Sequence, residues 1–316
     1  MKLGSGPLIE LRHLHRYFGQ TQAVQDVSFE VAAGQVMGYI GPNGAGKTTS
    51  MRILATLDVP TKGDAFVDGF SVVNDPDRAR ARLGFMPDYF GTYANVNVWE
   101  YLDFFARAYG LRGKTRLAAL DYVMRFTGLD ELAEKPMRGL SKGMKQRLCL
   151  GRAMIHDPPV LVLDEPAAGL DPRARIQLRE MIRQLAAQGK AVLISSHILT
   201  ELAEMCDVVA IIERGRLLAV GSVEEMVRRQ VRQQRRVSVH VLGEIAPVNA
   251  WLSSRPEIRQ VHANGNTATF VHDGTVEAEA DLLAAMIDAG FRVAAFGSVT
   301  ATLEEVFMQV TEGRVQ

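Results

Sequence analysis

The chain of 316 residues contains only two cysteines, Cys149 and Cys206, and two tryptophans. Two distant thiols exclude a disulfide framework and a cysteine-based zinc site. They suit a reducing compartment, where buried cysteine behaves as a small hydrophobe. An excess of either charge is also missing, because 36 Lys and Arg offset 36 Asp and Glu. A chain-wide electrostatic grip on nucleic acid is therefore not indicated, and no nucleic-acid partner is expected. Long apolar runs are absent as well. The longest uncharged stretch, Val31 to Gly46, is interrupted by glycine and proline, whereas a spanning helix needs about 20 mostly apolar residues. The opening Met1-Lys2-Leu3-Gly4-Ser5-Gly6-Pro7 lacks the apolar core of a signal peptide. Any membrane role then falls to a partner. What is present is ordinary globular composition, 47% hydrophobic and 23% charged, and enough chain for two domains.

Leu8-Ile9-Glu10-Leu11 and Ala23 to Val31 read as strands, and Val36-Met37-Gly38-Tyr39-Ile40 as a buried strand running into a glycine-rich loop. Thr48 to Leu57 reads as a helix. Residues 98–127 are helix-rich, with Trp99, Leu102, Phe105, Ala106 and Tyr109 forming an apolar stripe expected to pack in the core. Val160 to Leu163, Ala191 to Ile194 and Val208 to Ile212 are continuous apolar runs separated by helical segments. Strands buried on both faces of a parallel sheet look like this. A charged, arginine-rich helical connector covers 222–236. Beyond it, strands at Val237–Val241, 257–262, 267–272 and Phe291–Phe296 alternate with helices at 247–254 and 276–289. That βαββαβ order, with a hairpin across Asn264-Gly265-Asn266, suggests a small α+β ferredoxin-like domain. Leu303, Val306, Phe307 and Val310 make the apolar face of a closing helix.

Three constellations carry chemistry. Gly41-Pro42-Asn43-Gly44-Ala45-Gly46-Lys47-Thr48, followed by Thr49, is a complete phosphate-loop pattern between a strand and a helix. Its glycines let backbone N–H groups close around phosphate oxygens, and the helix N-terminus favours negative charge. Lys47 is placed to reach the terminal phosphates of ATP, and the Thr48 hydroxyl to ligate Mg²⁺. Leu161-Val162-Leu163-Asp164-Glu165 is an apolar strand ending in two acids. Ionised groups lose hydration at such a position unless a cation meets them. Asp164 suits the Mg²⁺ shell, and Glu165 suits orientation of an attacking water.

Leu140-Ser141-Lys142-Gly143-Met144-Lys145-Gln146-Arg147 resembles the signature motif of ATP-binding-cassette ATPases. With the phosphate loop, Asp164-Glu165, Ala168-Gly169-Leu170-Asp171 and Ser195-Ser196-His197, the order and spacing are similar to that family across residues 8–221. The resemblance implies a P-loop NTPase nucleotide-binding domain over 1–221, with a mixed sheet core and a helical subdomain at about 92–158. The accessory domain would then occupy 237–316. In that family two such domains pair head to tail and hold two ATP molecules between them. Ser141 and the Gly143 backbone would contact the γ-phosphate of the partner's nucleotide. Glu165 would be the catalytic base and His197 the switch histidine, with Asp171 at the dimer interface and Phe18 stacked on adenine.

Two signature positions depart from the family pattern, with Lys142 and Met144 replacing glycine and glutamine. In addition, Asp88, after Leu83-Gly84-Phe85-Met86-Pro87, takes the place of the glutamine that senses Mg²⁺ and permease. A carboxylate there can still meet water or Mg²⁺, so an active site with altered coupling is expected. The implied partners are a second copy and a separate integral-membrane permease, which would hold the chain at the inner face of the cell membrane on the cytoplasmic side. Export is the implied direction. A cassette serving DNA maintenance or translation is the competing class. Its members carry a long coiled-coil insertion or two cassettes in one chain, and neither pattern is found here.

Overall fold

The computed structural model describes residues 6–89, 91, 93, 95–226 and 235–298. The chain divides into two compact units, Met1–Ser222 and Val223–Gln316.

In the first unit, strands β1 (Ile9–Phe18), β2 (Thr21–Val31), β4 (Lys62–Val67) and β5 (Phe70–Ser71) form an antiparallel sheet in the order β2-β1-β4-β5. Strands β3 (Val36–Ile40), β6 (Leu83–Met86), β7 (Val160–Leu163), β8 (Ala191–Ser196), β9 (Val208–Glu213) and β10 (Arg216–Ser222) form a second sheet, ordered β10-β9-β3-β8-β7-β6. It is parallel throughout except for the antiparallel edge strand β10. Every residue of β3, β7 and β8 is buried. Coverage of both faces is why these strands read as unbroken apolar runs.

Helix α1 (Lys47–Leu54) follows β3 directly. Its Met51, Ile53 and Leu54 join Ile9, Leu14 and Val27 of the antiparallel sheet and Tyr39, Val162 and Leu193 of the other in one buried cluster. Each such side chain contributes about 1.5–3 kcal/mol on leaving water. The helix that opens at the phosphate loop is thus gripped from two sides.

Helix α2 (Pro76–Ala81) precedes β6. Helices α3 (Val98–Ala108), α4 (Gly113–Thr127) and α5 (Lys142–Met154) pack on one another. Asn97 and Glu100 form a reciprocal capping box at the start of α3. The expected stripe is only partly internal: Leu102 and Ala106 are buried, but Tyr109 is 39% exposed. The helix ends there because Gly110 takes a left-handed backbone, φ 79°. Helices α6 (Pro172–Ala187) and α7 (Leu199–Met205) complete the unit.

The second unit runs β11 (Arg235–Val241), α8 (Ile245–Ser253), β12 (Ile258–Asn264), β13 (Thr267–His272), α9 (Val276–Asp288) and β14 (Val293–Ser298). Its antiparallel sheet is ordered β12-β13-β11-β14, the ferredoxin-like arrangement. Val237, Val239, Leu252, Phe270 and Met286 form a core of its own. β11 begins at Arg235, so the last two arginines assigned to the connector belong to the sheet. Residues 227–234 and the closing segment with Leu303, Val306, Phe307 and Val310 lie outside the described residues. Among the described residues, no helix is long and apolar enough to cross a membrane.

Candidate nucleotide site

The site begins where β3 stops at Ile40. Gly46 caps α1 in a left-handed conformation, φ 106°. A Cβ there would overlap the Ala23 carbonyl, and one at Gly41 would overlap the Ile212 carbonyl. Glycine is required at both positions because neighbouring strands approach the loop backbone directly. The Gly215 amide donates to the Ala45 carbonyl (2.9 Å), tying the loop to the β9–β10 turn.

Residues 42–49, with Ala23, Asp88 and Glu165, line a cavity of about 210 Å³. Lys47 is buried, and its Nζ donates to the carbonyls of Gly41 (2.5 Å) and Pro42 (3.2 Å). Burial lowers its pKa, while the Glu165 and Asp164 carboxylates act in the opposite sense. A phosphate would restore charge balance to this ammonium.

Asp164 lies just past the end of β7 and is almost wholly buried. Burial pushes its carboxyl pKa up, against hydrogen bonds from the Ser195 and Thr48 side chains, and the Asp88 and Glu165 carboxylates push it further up. Ser195 Oγ donates to Asp164 Oδ1 at 2.5 Å, whereas Oδ2 is buried without a hydrogen-bond partner. An orphaned, repelled oxygen on a carboxyl that the Thr48 side chain also influences fits a divalent cation. Among the described residues no group of three or more His, Cys, Asp or Glu is arranged to hold a metal by itself. Mg²⁺ is usually bound by one or two carboxylates together with substrate phosphates, and Asp164 and Thr48 are the protein groups that would hold it here.

Glu165 takes a left-handed backbone, φ 49°, which breaks the strand alternation and turns its side chain into the cavity. Its N–H donates to Ser195 Oγ (2.9 Å), and its Oε2 lies 2.8 Å from Nδ1 of His197. Ser195 therefore positions both acids. In the sequence Ser195 stands out only within the Ser195-Ser196-His197 motif. Its role depends on pairing β7 with β8, which spans some thirty residues of chain.

The structure thus brings together the loop, Asp88, Asp164, Glu165 and His197. Asp88 is exposed, and its Oδ1 accepts from the Tyr89 N–H (2.8 Å). Ser141 and Gly143 do not join the cavity lining. Ser141 is exposed at the N-cap of α5, its Oγ accepting from the Met144 N–H (3.3 Å). Asp171 caps α6 by accepting from the Ala174 N–H (3.0 Å). Phe18, at the end of β1, is 48% exposed and likewise outside the lining, with the Arg16 guanidinium over its ring.

A strand–loop–helix cradle with a buried lysine, and paired acids just past the end of β7, with β8 between it and β3, defines a phosphate-loop ATPase of mixed α/β build. Comparison with known proteins narrows this class. The ABC transporter family model matches residues 24–168, and the model for the C-terminal domain of DrrA1-3-like ATP-binding proteins matches residues 221–311. An uncharacterized ABC transporter ATP-binding protein of Bacillus subtilis, YxlF, is 33% identical over 308 residues, 96% of this chain and 99% of its own. A Nod factor export ATP-binding protein I of Ralstonia nicotianae is 36% identical over 265 residues, 84% of this chain and 81% of its own. A solved ATP-binding subunit of an ABC transporter superposes with TM-score 0.65 at 30% identity, covering 71% of this chain and 93% of that one. A dimeric bacterial ABC transporter cassette, at 23% identity and TM-score 0.61 over 68% of this chain and 98% of that one, shares the fold. The chain belongs to the ATP-binding-cassette (ABC) transporter family, as an ATP-binding, ATP-hydrolysing subunit.

Proposed function

We propose that this chain binds MgATP at a composite interface between two head-to-tail copies and uses its hydrolysis to power export through a separate membrane permease. The observation that carries the reading is the division of the site. One chain supplies the cradle, both acids and the histidine, while the signature residues Ser141 and Gly143 stand apart from them.

In this reading the loop N–H groups and Lys47 hold the β- and γ-phosphates. Thr48 and Asp164 hold Mg²⁺, with Asp88 close by. When bound, Mg²⁺ neutralises charge on the β- and γ-phosphate oxygens. Glu165 accepts a proton from the attacking water, its carboxylate aimed by the His197 contact and its backbone fixed by Ser195. His197 Nδ1 moves from Glu165 to the γ-phosphate as the site closes. Ser141 and the N-terminus of α5 approach that phosphate from the second copy, where hydrogen-bond donors and the helix dipole stabilise negative charge. Asp171 lies along the same interface, and Phe18 stacks on the adenine.

The export direction is supported by the name of the Ralstonia relative. Association with the inner face of the cell membrane follows if the permease is a separate polypeptide. The C-terminal unit modulates dimerisation or turnover without supplying chemistry. Affinity purification from membranes followed by mass spectrometry tests the assembly, and the expected result is a multi-span permease recovered with this chain. For the chemistry, Glu165→Gln is expected to keep ATP binding and lower turnover by about 10²–10⁴-fold, the usual contribution of a positioned general base. Parental turnover in this variant would reassign the base.

A further inference from the structure

The Phe18 ring has one face already covered. The Arg16 guanidinium carbon sits 4.3 Å from the ring centroid, at cation–π distance. Arg16 is in turn held by Asp58, with Nη2–Oδ1 at 2.8 Å and Nε–Oδ2 at 3.1 Å. Both side chains are mostly withdrawn from water, at 24% and 20% exposure. This paired, two-point grip orients the planar guanidinium.

The anchor is not an isolated loop residue. Asp58 lies four residues beyond α1, the helix that opens at the phosphate loop. The segment carrying it is stitched to the end of β1 by two further bonds. The Thr61 N–H donates to the His15 carbonyl (2.7 Å), and the Tyr17 N–H donates to Thr61 Oγ1 (3.0 Å). One continuous connection thus runs from the loop through α1 and Asp58 to Arg16 and Phe18.

We infer that Arg16, oriented by Asp58, is a positioning residue that holds the Phe18 ring ready to stack a nucleobase on its opposite face. An exposed aromatic at a strand end otherwise spends part of its time in unproductive rotamers, and ordering it on binding weakens affinity. A guanidinium on one face removes that freedom and leaves a single face for the base. Recognition would then extend from the triphosphate end of the ligand to its purine end through α1. The inference rests on the proposed adenine-stacking role of Phe18, and the test separates the two.

The experiment measures dissociation constants of the full-length chain for MgATP and for Mg-tripolyphosphate, which lacks the base and ribose. The variants are Arg16→Ala, Arg16→Lys, Asp58→Asn and Phe18→Ala. Arg16→Ala is expected to weaken MgATP by about three- to tenfold, up to about 1.4 kcal/mol, with tripolyphosphate binding unchanged. Arg16→Lys and Asp58→Asn should fall between parental and Arg16→Ala. Adding Asp58→Asn to Arg16→Ala should cost nothing more, because the two act as one unit.

Equal weakening toward both ligands would make the Arg16–Asp58 pair merely structural and overturn the inference. Unchanged or tighter MgATP binding in Arg16→Ala would overturn it too, and tighter binding would mean that the guanidinium obstructs the base. If Phe18→Ala selectively weakens MgATP while the Arg16 variants do not, only this inference fails. If Phe18→Ala leaves both affinities unchanged, the stacking role itself fails. Asp58→Asn and Arg16→Lys preserve most of the packing, so the comparison survives should Arg16→Ala not fold.

Discussion

At the scale of single residues, the site depends on groups whose charge their surroundings oppose. Asp164 is buried, faces Asp88 and Glu165, and leaves one oxygen unpaired. If Asp88 helps to hold the cation, Asp88→Ala should leave ATP affinity near parental and raise the Mg²⁺ concentration needed for half-maximal turnover. Asp88→Asn keeps the shape and removes the charge, so it should behave alike if charge is what matters. ATPase rate against Mg²⁺ concentration checks this, and an unchanged profile in both variants would leave Asp88 an ordinary loop residue.

Away from the site, His156 stacks on Tyr109, with ring centroids 3.6 Å apart and planes within 8°. Burial lowers its pKa to about 4; Lys190 nearby also lowers it, while the Leu83 backbone and Asp157 act the other way. An unfolded histidine titrates near 6.5. The unfolded chain therefore takes up this proton first, and stability present above about pH 6.5 is lost as pH falls toward 4. The loss attributable to this group is on the order of 3 kcal/mol. His156→Phe keeps an aromatic stack without a titrating group and should flatten that part of a urea-denaturation pH profile. An unchanged slope would show that other groups govern acid sensitivity.

At the scale of elements, α1 joins both sheets to the phosphate loop, and its C-terminal end is under strain. Thr56 has a left-handed backbone, φ 59°, which is uncommon for a β-branched side chain. Its hydroxyl accepts an exposed hydrogen bond from Arg80 Nε (2.9 Å). Glycine adopts this conformation without steric cost. Thr56→Gly is expected to raise stability by up to about 1 kcal/mol in thermal unfolding, and destabilisation would show that the Arg80 contact matters more than the strain. The opposite holds at Gly46, where Ala would meet the Ala23 carbonyl. Gly46→Ala should displace the loop and weaken ATP binding by about tenfold or more, read by calorimetric titration.

The same elements show what could be read from sequence. β3 and the loop after it were legible because an apolar run and a glycine pattern are local features. The buried strands β7 and β8 were legible for the same reason. The α3 stripe leaves the core at Tyr109, where Gly110 beside it stops the helix, and apolar spacing alone does not mark that exit. Ser195 and Arg16 were not assigned because their partners, Asp164 and Asp58, are distant in sequence. Such pairings appear only once strand register is fixed.

At the scale of the whole molecule, two units with separate cores suggest separable roles. All the nucleotide-site motifs lie before Ser222, within the first unit. Removing Val223–Gln316 is expected to leave a folded chain that binds MgATP with affinity near that of the full protein, measured by fluorescent-nucleotide titration. A folded truncation that does not bind would place part of the site in the second unit. In the proposed function one chain holds only part of each site. Sedimentation of Glu165→Gln with and without MgATP tests it most directly. Monomer is expected without nucleotide, and with MgATP a species of twice the mass carrying one ATP per chain. That dimer should be lost when Ser141 is also replaced by Arg. A Glu165→Gln chain that saturates with MgATP and stays monomeric would contradict it.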